Sequence, residues 1–319
     1  MMRTCVEYRR TTDARPAPKS VEVSASVWRR GIAACAAFGV LGLLGCLCSC
    51  SRNGAVVVGS KNFTEQLLLG EIAAQQLERK LHIKIERKLD LGGTLLTHEA
   101  IVRGDIDIYP EYTGTASSVV LKQQIAEDPV RAYIAVKDAY LSRFHLIWLP
   151  PLGFNDTFAM VVRTQDAQRL SDRTISAADS RSWRLGVGYE FLTRPDGLAR
   201  LNKIYAPRWE GTPKSMDLGL LYEALRQHKI DMAAADSTDG RLTDKNFTVL
   251  RDDKAAFPPY SACFVVRKGV IDQQPGIGIA LSMLSNHMGE ETMRGLNRRV
   301  DMEHQPVEKV AKDFLAGQP

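Results

Sequence analysis

The chain has 319 residues, 42 Lys and Arg against 37 Asp and Glu, and 45% hydrophobic residues, enough for two compact lobes with cores of their own. Most of the net charge of +5 belongs to the first fifty residues, which hold Arg3, Arg9, Arg10, Arg15, Lys19, Arg29 and Arg30 against Glu7, Asp13 and Glu22. The rest of the chain is close to neutral, which argues against a nucleic-acid partner. Of six cysteines only Cys263 lies beyond residue 50, so the body can form neither an internal disulfide nor a cysteine zinc site. Cys263 falls in the apolar run Cys263–Val266 and reads as a buried thiol.

The leader comes first. Arg29-Arg30, an apolar run from Ile32 to Leu44 and small residues at its exit form a secretory signal. Leu43-Leu44-Gly45-Cys46 resembles a bacterial lipobox, which implies cleavage before Cys46, lipidation of Cys46 and a tether over 46–54. Cys50, in Leu47-Cys48-Ser49-Cys50, is a second candidate. The region ahead of the apolar run is long for such a signal and leaves a start downstream of Met1 open. An uncleaved anchor is the plainer reading, because 32–50 is about long enough to span a bilayer. Every version places the body outside the cytoplasm.

From residue 55 strand-like and helix-like segments alternate, as in an α/β fold with mainly parallel sheets. Ala55–Gly59 reads as a strand. Leu69, Ala73, Leu77 and Leu81 then recur every four residues and predict an amphipathic helix. Ile83, Ile85 and Leu89 suit a second strand, 95–103 a helix closed by Gly104, and Asp105–Tyr109 a third strand stopped by Pro110. A helix over 132–144 and a strand over 146–149 follow. The pattern restarts with strands at 158–162, 185–187 and 230–234. Helices are predicted at about 195–205, with Pro195 in the first turn, and 219–228. After Pro258-Pro259 comes a strand over 263–266. The tail from about 275 to 316 is helical, with Val307, Val310, Ala311, Phe314 and Leu315 on one face.

Several ordered stretches carry a resemblance. Gly59-Ser60-Lys61-Asn62-Phe63-Thr64-Glu65-Gln66, Leu91-Gly92-Gly93-Thr94 and Asp107-Ile108-Tyr109-Pro110-Glu111-Tyr112-Thr113-Gly114-Thr115 come first. Asn155–Phe158, Arg194–Gly197, Met216–Tyr222, Ser237–Arg241 and Phe257–Tyr260 follow in order. Over roughly 55–316 the chain resembles the substrate-binding proteins of osmoprotectant ABC importers, which take up glycine betaine, choline and carnitine. The resemblance implies a type II periplasmic-binding-protein fold with a hinge and an interlobe ligand cleft. Lobe 1 would be 55–155 plus 259–319 and lobe 2 would be 156–258. The implied partners are a small solute, ABC permease and ATPase subunits, and the membrane through a lipid anchor; no cofactor, metal or catalytic residue is implied.

A quaternary ammonium has no N–H, so aromatic faces must hold it, while a carboxylate wants cations and hydroxyls. The resemblance places Lys61 and Arg194 on an anionic group, with Glu190 beside Arg194 and Thr115 as a hydroxyl contact. It makes Tyr112 and Tyr260 cage members and sets Asp156 beside the cage. Two positions depart from the family pattern: Phe158 stands where members often carry Tyr, and Asp236 stands where Tyr commonly precedes Ser-Thr-Asp-Gly. Asp236 exchanges a π-face for a negative charge. That leaves open glycine betaine or choline, a trimethylated histidine derivative such as ergothioneine, and a basic amino acid or polyamine. A sensory or surface lipoprotein without a transporter is the other alternative. The six histidines are dispersed and no nucleophile or phosphate-loop motif occurs, which argues against an enzyme.

Overall fold

The computed structural model describes residues 55–318. The signal segment, Cys46 with its proposed lipidation, Cys50 and the tether lie outside the described residues. Among the described residues no helix is long and apolar enough to cross a membrane.

The chain runs β1 (Val56–Gly59), α1 (Thr64–Leu81), β2 (Ile85–Lys88), α2 (Thr94–Arg103), β3 (Ile108–Tyr112), α3 (Pro129–Phe144) and β4 (Leu146–Trp148). It continues through β5 (Phe158–Arg163), β6 (Leu185–Val187), α4 (Tyr189–Thr193), α5 (Leu198–Tyr205), β7 (Lys214–Ser215), α6 (Leu218–Arg226), β8 (Met232–Asp236) and β9 (Phe247–Leu250). It closes with β10 (Ala262–Arg267), α7 (Lys268–Gln273), α8 (Gly276–Ser282), α9 (Glu290–Asp301) and α10 (Val307–Ala316). Local signals set many ends. Asp128 caps α3 by accepting from the Arg131 N–H, with Pro129 in the first turn. Gly104, at φ 81°, ends α2 in the left-handed conformation that glycine adopts without strain.

Two five-stranded sheets result, in the orders β2-β1-β3-β10-β4 and β7-β6-β8-β5-β9. Both are mixed rather than mainly parallel. β10 runs antiparallel to β3 and β4, and β5 antiparallel to β8 and β9. The physical reason is the route of the chain. β5 and β10 follow the two crossings between sheets, so each enters its sheet from the end where the parallel strands finish.

Alternation along the strands covers both faces of each sheet. In β10, Phe264 and Val266 join the core beneath α1, α8, α9 and α10, whereas Cys263 and Val265 join Ile101, Val136, Tyr140 and Trp148 on the other face. In the second sheet, Met160, Val162, Met232 and Ala234 face Trp183, Phe191 and Leu201, while Val161, Ala233 and Ala235 face Leu221 and Leu225 of α6. Cys263 is fully buried, as its apolar run predicts.

Two further expectations differ from the structure. Pro110 does not stop β3, which begins at Ile108 and runs to Tyr112. Arg267 N–H donates to the Asp107 carbonyl and Thr113 N–H to that of Ser261, so the odd-numbered residues between them face β10 for bonding. Pro110 turns its nitrogen the other way, beyond the single β1–β3 pairing at Val58 and Ile108, where no ladder bond is lost. Pro195 does not start a helix. Arg194, with ψ 144°, holds the extended backbone favoured before proline, and it separates α4 from α5.

Candidate functional site

The parallel strands β1, β3, β6 and β8 all end at the seam between the two sheets, where α/β proteins commonly bind ligands. Lys61 and Glu65 follow β1, Tyr112 ends β3, Glu190 and Arg194 follow β6, and Asp236 ends β8. Asp156 and Phe158 lie at the crossing into β5, and Tyr260 at the crossing into β10. Hydrogen bonds join the two sides. Thr94 N–H donates to Glu190 Oε1 at 3.0 Å, Ser118 Oγ to Asp196 Oδ2 at 2.8 Å, and Arg294 to the Ser237 carbonyl at 2.8 Å.

Arg194 is the most connected candidate. Its guanidinium donates to Asp196 Oδ1 at 3.0 Å and Oδ2 at 2.7 Å, to Glu190 at 3.3 Å and to Thr115 Oγ1 at 3.2 Å. It also lies 5.1 Å from the Phe158 ring centroid and 5.7 Å from that of Tyr260, within cation–π reach. Phe158 packs edge-on against Phe191, Phe257 and Tyr260, so the ring beneath the guanidinium belongs to an aromatic cluster. Asp196 gathers this corner, since it also accepts from the Tyr260 hydroxyl at 2.7 Å. Burial opposes ionisation of Asp196, but Arg194, Tyr260 and Ser118 outweigh it and hold the carboxyl below the ordinary aspartate range. Burial is likewise outweighed at Glu190, by Lys61, the Thr94 N–H and Arg194.

Lys61 finds its anion within the chain. Its ammonium lies 2.6 Å from Glu111 Oε1, both side chains being buried, and 5.2 Å from the centroid of the Tyr112 ring. Tyr112 stacks near Phe63 and donates its hydroxyl to Glu65 Oε1 at 2.7 Å. Tyr112 therefore neighbours Lys61 and Glu65, while Phe158 and Tyr260 neighbour Arg194.

The remaining candidates form an acidic side. Asp236 pairs across the sheet with Phe158. Burial raises its pKa well above the ordinary value, with the charges of Asp156 and Asp239 adding to the rise against Arg194. Burial and the charge of Glu65 raise Asp156 in the same sense. Asp156 accepts from the Thr238 hydroxyl at 2.8 Å. Among the described residues no cluster is arranged to hold a metal ion.

Glu65, Glu111, Ser118, Asp196, Thr238 and Asn297 join the site without a role implied by the motifs. All but Ser118 and Asn297 stand inside the stretches that carried the resemblance, so the signal was their presence there as ionisable or hydroxyl groups. Ser118 and Asn297 had no such signal.

The model of the substrate-binding domain of ABC-type glycine betaine transport systems matches residues 54–317. Over 263 residues the chain is 36% identical to the ergothioneine transport permease/ergothioneine binding protein EgtU of Helicobacter pylori, covering 82% of this chain but only 47% of that longer protein. It is 35% identical over 272 residues to a glycine-betaine-binding protein of Pseudomonas aeruginosa, covering 81% of this chain and 86% of that one. A crystal structure of a glycine betaine/carnitine/choline ABC transporter protein superimposes with a TM-score of 0.71 at 30% identity, covering 82% of this chain and 97% of the other.

Proposed function

This chain belongs to the family of substrate-binding domains of ABC-type glycine betaine transport systems, and on that premise we propose that its solute is a compact betaine or choline-like cation bound between the two sheets. It is the non-catalytic solute-binding component of an ABC importer, working outside the cytoplasm with permease and ATPase subunits. In our reading the solute's positive head lies against Phe158, Tyr260 and Tyr112, with Asp236 and Asp156 supplying negative charge. Arg194, held by Asp196 and Glu190, takes the anionic end with Thr115. Lys61 supports Tyr112 through Glu111. The segments at 155–156 and 258–259 serve as the hinge, and Cys46 carries the lipid anchor.

The observation that carries this reading is the guanidinium of Arg194 on the Phe158 and Tyr260 rings. The wall already holds a cation by its faces, an attraction of about 0.5–2 kcal/mol per ring. Asp236 favours a second reading. Among the described residues no hydrogen bond or ion pair engages its carboxylate, and such a group suits a head with N–H donors or a betaine carrying an N–H ring. The relative named for ergothioneine binding supports including that class.

Calorimetry with glycine betaine, choline, carnitine, ergothioneine, lysine and spermidine tests both readings. At least one quaternary solute should bind saturably. Binding of lysine or spermidine alone would replace the first reading with a cationic amine, and failure of the whole panel would remove the solute class. Mass spectrometry of the membrane-associated protein tests the anchor, because an intact segment ahead of Cys46 would eliminate lipidation there.

A further inference from the structure

We propose that closure around the solute takes up one proton, held between Glu65 and Asp156 across the hydroxyl of Thr238, so that solute affinity depends on pH. This rests on the solute-binding reading above. Glu65 stands on α1 beside the first sheet, Thr238 follows β8 of the second, and Asp156 lies at the crossing between them. The three meet only when the two sides are together.

Too few protons serve these three groups when both acids are ionised. Thr238 Oγ1 lies 2.5 Å from Glu65 Oε2 and 2.8 Å from Asp156 Oδ1. A hydroxyl has one proton to donate. With both carboxyls ionised, one of these short contacts would set lone pair against lone pair beneath a buried threonine. With one proton on the pair, one acid donates to Oγ1 and Thr238 donates to the other, and both contacts become hydrogen bonds. The surrounding donors do not remove the need. Glu65 accepts from Tyr112 of β3 through Oε1 and from Asn297 of α9 through Oε2, and the Thr238 N–H donates to Asp156.

Nor does a cation among the described residues pair with either acid. Lys61 is engaged by Glu111, Arg194 by Asp196 and Glu190, and Arg241 by Asp239 and Asp301, while Arg294 donates to the Ser237 carbonyl and to neither acid. The other acids facing the pair favour the proton: Asp236 on β8, whose own raised pKa is offset by the solute's positive head in the reading above, and Asp239 after it, which Arg241 engages. Burial pushes Glu65 from its ordinary 4.5 up to about 7, against its three hydrogen bonds, and raises Asp156 as well.

With the sides apart, both carboxyls regain water and are ionised at neutral pH. Closing turns two carboxylates into a pair carrying one negative charge, and the added proton comes from the buffer. The sign follows from linkage. The closed form holds a proton that the open form lacks between the ordinary glutamate value and about 7, so affinity falls as pH rises through that window and levels off above it. The loss approaches tenfold per pH unit where uptake is complete.

Calorimetry of solute binding at pH 6.5 in buffers of different ionisation enthalpy reads the uptake directly. The wild-type chain should take up between about half and one proton. Glu65→Gln, whose amide N–H can donate to Thr238 Oγ1 in place of the proton, should bind with no uptake and a flat pH profile. Asp156→Asn should also lose the uptake, which guards against a folding defect in either variant. Solute binding with no uptake in the wild type, or uptake unchanged in both variants, overturns the proposal and leaves the solute reading intact. If no solute binds, 13C carboxyl titration of the wild-type chain replaces calorimetry. A carboxyl titrating near neutrality and lost in Glu65→Gln supports the shared proton, and its absence overturns it.

Discussion

Phe158 and Asp236 are direct cross-strand partners in the antiparallel pairing of β5 with β8, so the two residues that read as departures from the family pattern stand side by side on one face of the second sheet. Arg194 stacks on the ring and its charge acts on the acid. Together they make one half-aromatic, half-acidic surface. Asp236→Asn keeps the shape and removes the charge, and should weaken a cationic solute such as choline by about tenfold, or 1.4 kcal/mol. Zwitterionic glycine betaine should lose less. Calorimetry at low and high salt checks this, and an unchanged affinity for choline would mean that Asp236 does not face the head.

Arg194→Ala removes the guanidinium from Asp196, Glu190, Thr115 and two rings. It leaves Asp196 buried with the Tyr260 and Ser118 hydroxyls as its remaining side-chain donors. Breaking a buried pair from one side costs about 3–5 kcal/mol, to be read from urea unfolding. Solute affinity should fall more than tenfold. Because Asp196 is held below its ordinary value of 3.8, its contribution is present above that pH and is lost as pH falls through the depressed value. The stability gap between wild type and variant should therefore narrow in acid. A gap that widens would contradict the pairing.

Lys61 and Glu111 form a pair buried on both sides, at 3% and 0% side-chain exposure. Lys61→Met alone strands Glu111 and should cost about 3–5 kcal/mol, lowering Tm by on the order of 10 °C. Lys61→Met combined with Glu111→Leu removes both charges and should recover most of that loss. Solute affinity separates the roles. A double variant that is stable and still binds has only lost a support for Tyr112, whereas a stable double variant that does not bind places Lys61 on the solute itself.

Much of this architecture was legible in the residues. Leu69, Ala73, Leu77 and Leu81 located α1 because a helix with one buried stripe needs that period, and Leu185–Val187 located β6 to the residue. Strand direction was not legible, because β5 and β10 look the same to local pattern whichever way they enter their sheets. Pro110 misled for a related reason. Its missing N–H matters only if that side of β3 has a neighbour, and β1 ends its pairing at Ile108. At the site, motif positions named Arg194 and Tyr260 but not that Asp196 joins them, nor that Glu111 engages Lys61. Such pairings join residues as far as 64 positions apart in sequence and depend on how the two sheets meet.

Gly114 sets where Tyr260 can lie. A Cβ at residue 114 would come within 2.4 Å of Tyr260 Cδ1 and 2.8 Å of the Pro259 carbonyl, so the ring rests directly on the backbone that follows β3. Alanine there must push the ring or the 259–260 segment away. Tyr260 would then lose its bond to Asp196, and with it part of the hold on Arg194. Gly114→Ala should cost about 1–3 kcal/mol of stability, as overpacking does, and weaken solute binding at least tenfold. Gly269, in α7, is the control because a Cβ there meets nothing within 4 Å. Gly269→Ala should be neutral or stabilising by up to about 1 kcal/mol and leave binding unchanged. If Gly114→Ala binds solute as tightly as Gly269→Ala, the position of the Tyr260 ring is not what the solute reads.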